Sequence, residues 1–137
     1  FFTNQLDPQA HPYFSKIAEL QVSAHFLVRR DGCVIQFVGC DRRAWHAGQS
    51  NWQGRENCND YSVGIELEGS DSQPFTAEQY AALWLLIRVL RARYPVRALA
   101  GHCHVAPGRK TDPGPYFDWA AVRSRCSGLA LPDEIGG

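Results

Sequence analysis

The chain has 137 residues, 45% of them hydrophobic and 20% charged, which is the length and balance of one globular domain and excludes a disordered segment. Fourteen basic and fourteen acidic residues cancel, leaving no charge footprint for a nucleic-acid backbone or an anionic membrane, so neither partner is expected. No apolar run approaches membrane-spanning length. The five cysteines, an odd set with no Cys-x-x-Cys pair, fit reduced thiols better than a disulfide framework or a zinc ribbon. The chain starts at Phe1 and contains no methionine, so a segment upstream is expected to be missing.

Residues 1–20 are irregular, with Asp7-Pro8 and His11-Pro12 as turns and a short apolar-periodic piece at 13–20, helix or loop. Segments 22–29 and 34–38 are rich in β-branched and aromatic residues and are joined by Arg30-Asp31-Gly32, which predicts an antiparallel hairpin. A polar loop follows at 41–61, carrying Trp45, His46, Gly48, Trp52 and Gly54; a loop this long inside a compact domain is usually functional. The two-residue period of the strand at 62–67 puts Val63, Ile65 and Leu67 on the core face and Ser62, Gly64 and Glu66 on the other, where the small residues leave room for a ligand. Thr76-x-x-Gln79 opens the clearest helix, with Tyr80, Leu83, Trp84, Ile87 and Leu90 repeating at three and four and Pro95 as its stop. Segment 96–101 is expected as a strand parallel to 62–67, and 117–126 as a last short helix. The predicted fold is a single α/β domain, a mixed central sheet of a hairpin plus a parallel βαβ unit flanked by helices, occupying residues 1–126, with 127–137 as a frayed tail.

The loop from Gly101 to Gly114 concentrates the chemistry. His102 and Asp112 lie ten positions apart across Pro107, Gly108 and Pro113-Gly114, residues that let a chain fold back and bring the two together. Imidazole and carboxylate are donors that Zn²⁺ accepts, and Lys110 can stabilise an oxyanion beside the ion. Glu66, placed by the expected parallel pair next to His102, is the candidate base for an attacking water, with Glu68 as its competitor and an ion pair with Arg109 as the bland alternative. Cys103 suits a nucleophile less well, because in an extended triplet its sulfur points away from His102 and His104. The same alternation makes His104 a reserve ligand. His25 reads as a packing or hydrogen-bonding residue, and His46, in the long loop, as the better candidate for substrate contact.

Four ordered segments carry a resemblance. Ser23-Ala24-His25-Phe26-Leu27-Val28-Arg29-Arg30-Asp31-Gly32, Arg43-Ala44-Trp45-His46-Ala47-Gly48, Asn59-Asp60-Tyr61-Ser62-Val63-Gly64-Ile65-Glu66-Leu67-Glu68-Gly69 and the 101–114 loop are similar to those of zinc-dependent N-acetylmuramoyl-L-alanine amidases, closest to the AmpD branch of cytoplasmic cell-wall-recycling enzymes. The likeness runs from about Phe1 to Cys126. It implies a mixed sheet flanked by helices, a Zn²⁺ cofactor, and hydrolysis of the amide between the lactyl group of (1,6-anhydro-)N-acetylmuramic acid and L-alanine, acting on a small muropeptide as a cytoplasmic monomer. It assigns zinc ligation to His102 and Asp112 and catalysis to Glu66 and Lys110, while His46, Trp45 and Asn59 are the residues expected to bind substrate. Two departures stand out. The family's first ligand, a histidine on an early strand, is expected upstream of Phe1 and so absent here, and relatives usually carry Asp where this chain has His104. The alternative is a non-catalytic muropeptide-binding module without a complete zinc site; retention of Glu66, Lys110 and Asp112 together argues for the enzyme.

Overall fold

The computed structural model describes residues 23–132. Within it a three-stranded mixed sheet runs in the order β2-β1-β5, from β1 (Phe26–Val28), β2 (Val34–Gln36) and β5 (Ile65–Leu67). The predicted hairpin is β1 with β2, antiparallel with Leu27 opposite Ile35. Its turn closes through Arg29 N–H to Cys33 O and Gly32 N–H to Arg29 O, both 2.8 Å. Gly32 has φ +86°, and a Cβ there would stand 2.9 Å from the Glu78 carbonyl, so glycine serves both the turn and its approach to the next helix.

That helix, α1 (Ala77–Arg93), begins with the predicted capping box: Gln79 N–H donates to Thr76 Oγ1, and Thr76 N–H to Gln79 Oε1. It buries Leu83, Leu86, Ile87 and Leu90, as the three-and-four spacing requires. Gln79 is fully buried and its amide donates to the carbonyls of Val28 (3.2 Å) and Glu68 (2.8 Å), tying the first turn of α1 to the ends of β1 and β5. Two apolar clusters complete the core: Leu83, Ile87, Phe117, Val122 and Cys126 form one, and Phe26, Val28, Leu86 and Leu90 the other. Ile65 and Leu67 pack against both, so Glu66 between them projects from the opposite face.

The structure differs from the sequence expectation in five places. The parallel pair is β1 with β5, Leu27 opposite Glu66, whereas 96–101 adds only an isolated bridge, Ala98 to Ala130. The loop at 41–61 holds a second, two-stranded hairpin, β3 (Asn51–Trp52) and β4 (Arg55–Glu56), turned by Gln53 and Gly54 at φ +52° and +88°. Both residues in the left-handed region make this the turn that suits a two-residue hairpin. His102 does not end a strand; it begins a one-turn helix, α2 (His102–Val105), and the last helix, α3, is shorter than predicted, Trp119–Arg125 capped by Asp118. Residues 129–131 are docked: Leu129 and Leu131 pack on the core, and Ala130 exchanges hydrogen bonds with Arg97 and Leu99. The expectations at 1–22 and for 133–137 lie outside the described residues.

Gln79→Ala removes partners from two buried carbonyls and from the Thr76 N–H, so an expected loss of about 2–4 kcal/mol in urea unfolding exceeds the roughly 1–2 kcal/mol for Thr76→Ala. A Gln79 effect below about 0.5 kcal/mol would contradict this account of how α1 is joined to the sheet.

Candidate active site

The two ends of the 102–112 segment are clipped together by the backbone. Cys103 N–H donates to Asp112 O at 2.9 Å, while Ala106 accepts from both Arg109 and Lys110 N–H at 3.1 Å. Gly101 makes room for the fold-back, because a Cβ there would lie 2.7 Å from Pro113 Cδ and 3.2 Å from the Trp119 ring. His104 Nδ1 accepts the Gly101 N–H at 3.0 Å, and its ring meets Trp119 edge-on at 5.0 Å. This is the task a carboxylate or amide performs at the third position of a helix, so His104 caps α2. In a helix successive side chains are about 100° apart, so the alternation that made His104 a reserve ligand does not apply.

The clip brings His102 Nδ1 within 3.2 Å of Asp112 Oδ2. The other ring nitrogen, Nε2, is 3.0 Å from the Ala47 carbonyl. Carbonyl and carboxylate oxygens only accept, so in the metal-free chain Nε2–H donates to Ala47 O and Nδ1–H to Asp112 Oδ2, the protonated form that Asp112 favours. A metal ion that took the place of the Nδ1 proton would find two donors already side by side. A 3.2 Å separation matches the roughly 3.3 Å edge of a tetrahedron with zinc–ligand bonds of about 2.0 Å, and a carbonyl behind the distal imidazole nitrogen is the usual support for a metal-binding histidine. The donor set therefore fits zinc. It is two-membered: among the described residues no group of three or more metal-binding side chains occurs.

Glu66 is largely buried beside this pair. Burial, then the negative charge of Asp112, raise its carboxyl above the ordinary value, against the opposing pull of His102 and Lys110. For Asp112 burial acts upward but is outweighed by the hydrogen bond and charge of His102 and by Lys110, so its carboxyl lies low. His102 is raised: burial acts downward and is overcome by Asp112 and the Ala47 carbonyl. The four residues predicted for the chemistry thus share one electrostatic neighbourhood. The two alternatives weighed against them are engaged with other partners. Glu68 accepts the Arg30 N–H at the hairpin, and Arg109 donates to the carbonyls of Ala47 (2.6 Å) and Gln49 (2.9 Å). His25 is buried with both ring nitrogens engaged, by the Gly64 N–H and the Arg42 carbonyl.

The small residues at 62 and 64 do not leave room for a ligand. They make room for the His46 ring, which a Cβ on Gly64 would meet at 2.4 Å. Ser62 Oγ gives its one proton to Cys58 O at 2.5 Å and so accepts from His46 Nε2 at 3.2 Å. Burial, and secondly the neighbouring His25, hold His46 down to about 4. Trp45 is 47% exposed with the Arg43 guanidinium 4.2 Å above its ring, a platform open to a ligand, and Arg43 is itself paired with Asp60. Asn59 is buried, and its oxygen is spent on the N–H groups of His46 and Ala47. Sequence reasoning missed the work of Arg109 and the Ala47 carbonyl; Gly48 was the available signal, since a Cβ there would lie 2.9 Å from the Arg109 guanidinium. A cleft of about 260 Å³ between 49–51, Glu56 and 105–109 adjoins the site through Arg109 without including the four chemical residues.

Residues 1–115 match the N-acetylmuramoyl-L-alanine amidase family. The chain belongs to that family. It is 58% identical over 125 residues to the 1,6-anhydro-N-acetylmuramyl-L-alanine amidase AmpD of Salmonella typhimurium, a match covering 90% of this chain and 67% of that protein. The crystal structure of a selenomethionine AmpD derivative superposes with a TM-score of 0.79 at 57% identity, covering 90% of this chain and 70% of that one. The Escherichia coli amidase AmiD, solved with anhydro-N-acetylmuramic acid-L-Ala-D-gamma-Glu-L-Lys, gives 0.74 at 35% identity, covering 89% and 55%. The chain therefore spans about two thirds of the AmpD length it matches. The resemblance read from the four segments is borne out for family, mixed-sheet fold and enzyme class.

The lowered His46 value carries a sign. The unfolded chain, with an ordinary value of about 6.5, takes up its proton before the folded one, so this part of the stability is present above that pH and is lost as pH falls toward about 4. The expected result is a His46 ring still neutral near pH ~5 by NMR, and a stability decline across the window that is shallower in His46→Gln. A His46 midpoint near about 6.5 would contradict it.

Proposed function

We propose that this amidase hydrolyses the bond between the lactyl group of (1,6-anhydro-)N-acetylmuramic acid and the L-alanine of the stem peptide, with zinc held by His102 Nδ1 and Asp112 Oδ2. The observation that carries the reading is the 3.2 Å approach of those two atoms with the second imidazole nitrogen tied to a carbonyl. When bound, zinc supplies Lewis-acid polarisation and water of lowered pKa. Glu66, raised by burial, takes the proton of the attacking water and gives it to the departing alanine nitrogen. Lys110 places its ammonium charge toward the oxygen on which negative charge develops. Trp45 and its stacked Arg43 offer a surface for the muropeptide, and His46, neutral and wedged over Gly64, lines the site beneath it.

Catalytic zinc takes three protein ligands. Among the described residues no third metal-binding side chain joins His102 and Asp112, so we place the third donor outside residues 23–132. The five cysteines, all free thiols, fit a reducing compartment such as the cytoplasm, and no described helix is long and apolar enough to cross a membrane.

In the zinc-loaded protein, Glu66→Ala is expected to keep its metal and to lose about 10²–10⁴-fold in turnover on an anhydromuramyl peptide, while Glu68→Ala loses less than about tenfold. Loss of zinc from the Glu66 variant, or equal losses from both, rejects the base assignment. Lys110→Ala should lower kcat by about 10²–10³-fold at nearly constant KM. His102 cannot serve Cys103 as a base, both its nitrogens being engaged, so Cys103→Ser should keep most activity. An acyl-enzyme trapped on Cys103 would replace the zinc mechanism with a thiol one.

A further inference from the structure

We infer that Asn59 is a positioning residue for the His102 imidazole, acting through the backbone of the 46–47 loop rather than by touching substrate. The inference rests on the zinc reading for the identity of the ion, but its geometry stands without one. Asn59 is only 7% exposed, which leaves little surface for a ligand. Its side-chain oxygen accepts two consecutive N–H groups, from His46 at 3.0 Å and Ala47 at 2.9 Å, and so holds two successive peptide planes. The next carbonyl along the chain, that of Ala47, is thereby aimed at His102 Nε2 (3.0 Å), with Arg109 as a second donor (2.6 Å).

Asn59 is itself anchored. It sits in the one-turn 3-10 helix Cys58–Asp60, whose Cys58 N–H donates to Ser50 Oγ, and Ser50 Oγ in turn donates to Gly48 O. The loop is therefore held at residues 46, 47 and 48 from one support. Because a carbonyl cannot donate, its position keeps a proton on Nε2, so that when the ring carries a single proton Nδ1, the nitrogen facing Asp112, is the one open to a metal. Remove the Asn59 oxygen and the Ala47 carbonyl keeps only Arg109, an exposed side chain, to direct it. His102 is then free to place its proton on Nδ1, against the Asp112 carboxylate, where it blocks a metal.

The test compares the 137-residue chain with Asn59→Ala, Asn59→Ser and Asn59→Asp, the last retaining an acceptor for both N–H groups. Nitrogen NMR of His102 in the metal-free protein, at alkaline pH where the ring is neutral, reads the tautomer, and competition with a chromophoric chelator reads zinc affinity. The expected result is an Nε2–H ring in the unmodified chain and in Asn59→Asp. The Ala and Ser variants should show a shift toward Nδ1–H and zinc binding weaker by about 10–100-fold. Asn59→Ser gives the same readout if the Ala variant does not fold, and the unmodified chain alone is decisive if its His102 proton is found on Nδ1, which overturns the inference. An unchanged tautomer and unchanged zinc affinity in a folded Ala or Ser variant overturn it too. Should zinc fail to bind any of these proteins while the tautomer shifts as described, the positioning role stands and the metal assignment falls.

Discussion

His102 Nδ1 faces a carboxylate oxygen of Asp112 across 3.2 Å, and the other features of the site follow from holding that encounter in place. With neither a proton nor a metal ion between them the two would repel, so the pair has to hold one or the other. The fold resolves the conflict by holding the partners from behind. Ala47 O takes the Nε2 proton and Cys103 N–H grips the backbone of residue 112, which leaves the gap to the Nδ1 proton or to a metal ion in its place. Lys110, one residue before Thr111, and Glu66, across the face of the sheet, supply a balancing charge of each sign.

Rigidity around the pair comes from elements with no chemistry of their own. The β1–β5 pairing sets Glu66 opposite Leu27, and the Ile65 and Leu67 side chains on the core face prevent the strand from turning over. Thr111, between the lysine and the aspartate, donates to Asp71 of the β5–α1 loop, and a Cβ on Gly114 would stand 2.8 Å from the same carboxylate. The loop that bears Lys110 and Asp112 is thus braced from the strand that bears Glu66. A shift of either would be felt by both, which is how a set of side chains drawn from distant segments keeps a common geometry.

Much of this was legible in the amino-acid sequence because residue type and spacing report on local constraints. The alternation at 62–67 placed Glu66 opposite the core, Thr76-x-x-Gln79 opened α1 where it begins, and the glycines and prolines of 101–114 foretold the fold-back that joins His102 to Asp112. What escaped were decisions taken by tertiary contact. Four residues from His102 are too few to show a helical period, and their β-prone Cys and Val read as strand until the Gly101–His104 cap is seen. The Ala47 carbonyl belongs to the backbone and carries no residue-type signal at all. Gly64 looked like space for a ligand because a sequence cannot show that the His46 ring already fills it. Asn59 was expected to bind substrate, and the amino-acid sequence cannot show the burial that turns it inward to the loop.

The central claim is that the His102 and Asp112 side chains meet at one metal ion while the neighbouring thiol stays outside. X-ray absorption at the zinc edge of the zinc-loaded protein, compared with His102→Ala, tests it most directly. The account predicts a first shell of nitrogen and oxygen at about 2.0–2.2 Å, with an imidazole signature that weakens in the variant. A sulfur shell near 2.3 Å, or a spectrum that is the same with and without His102, would contradict it.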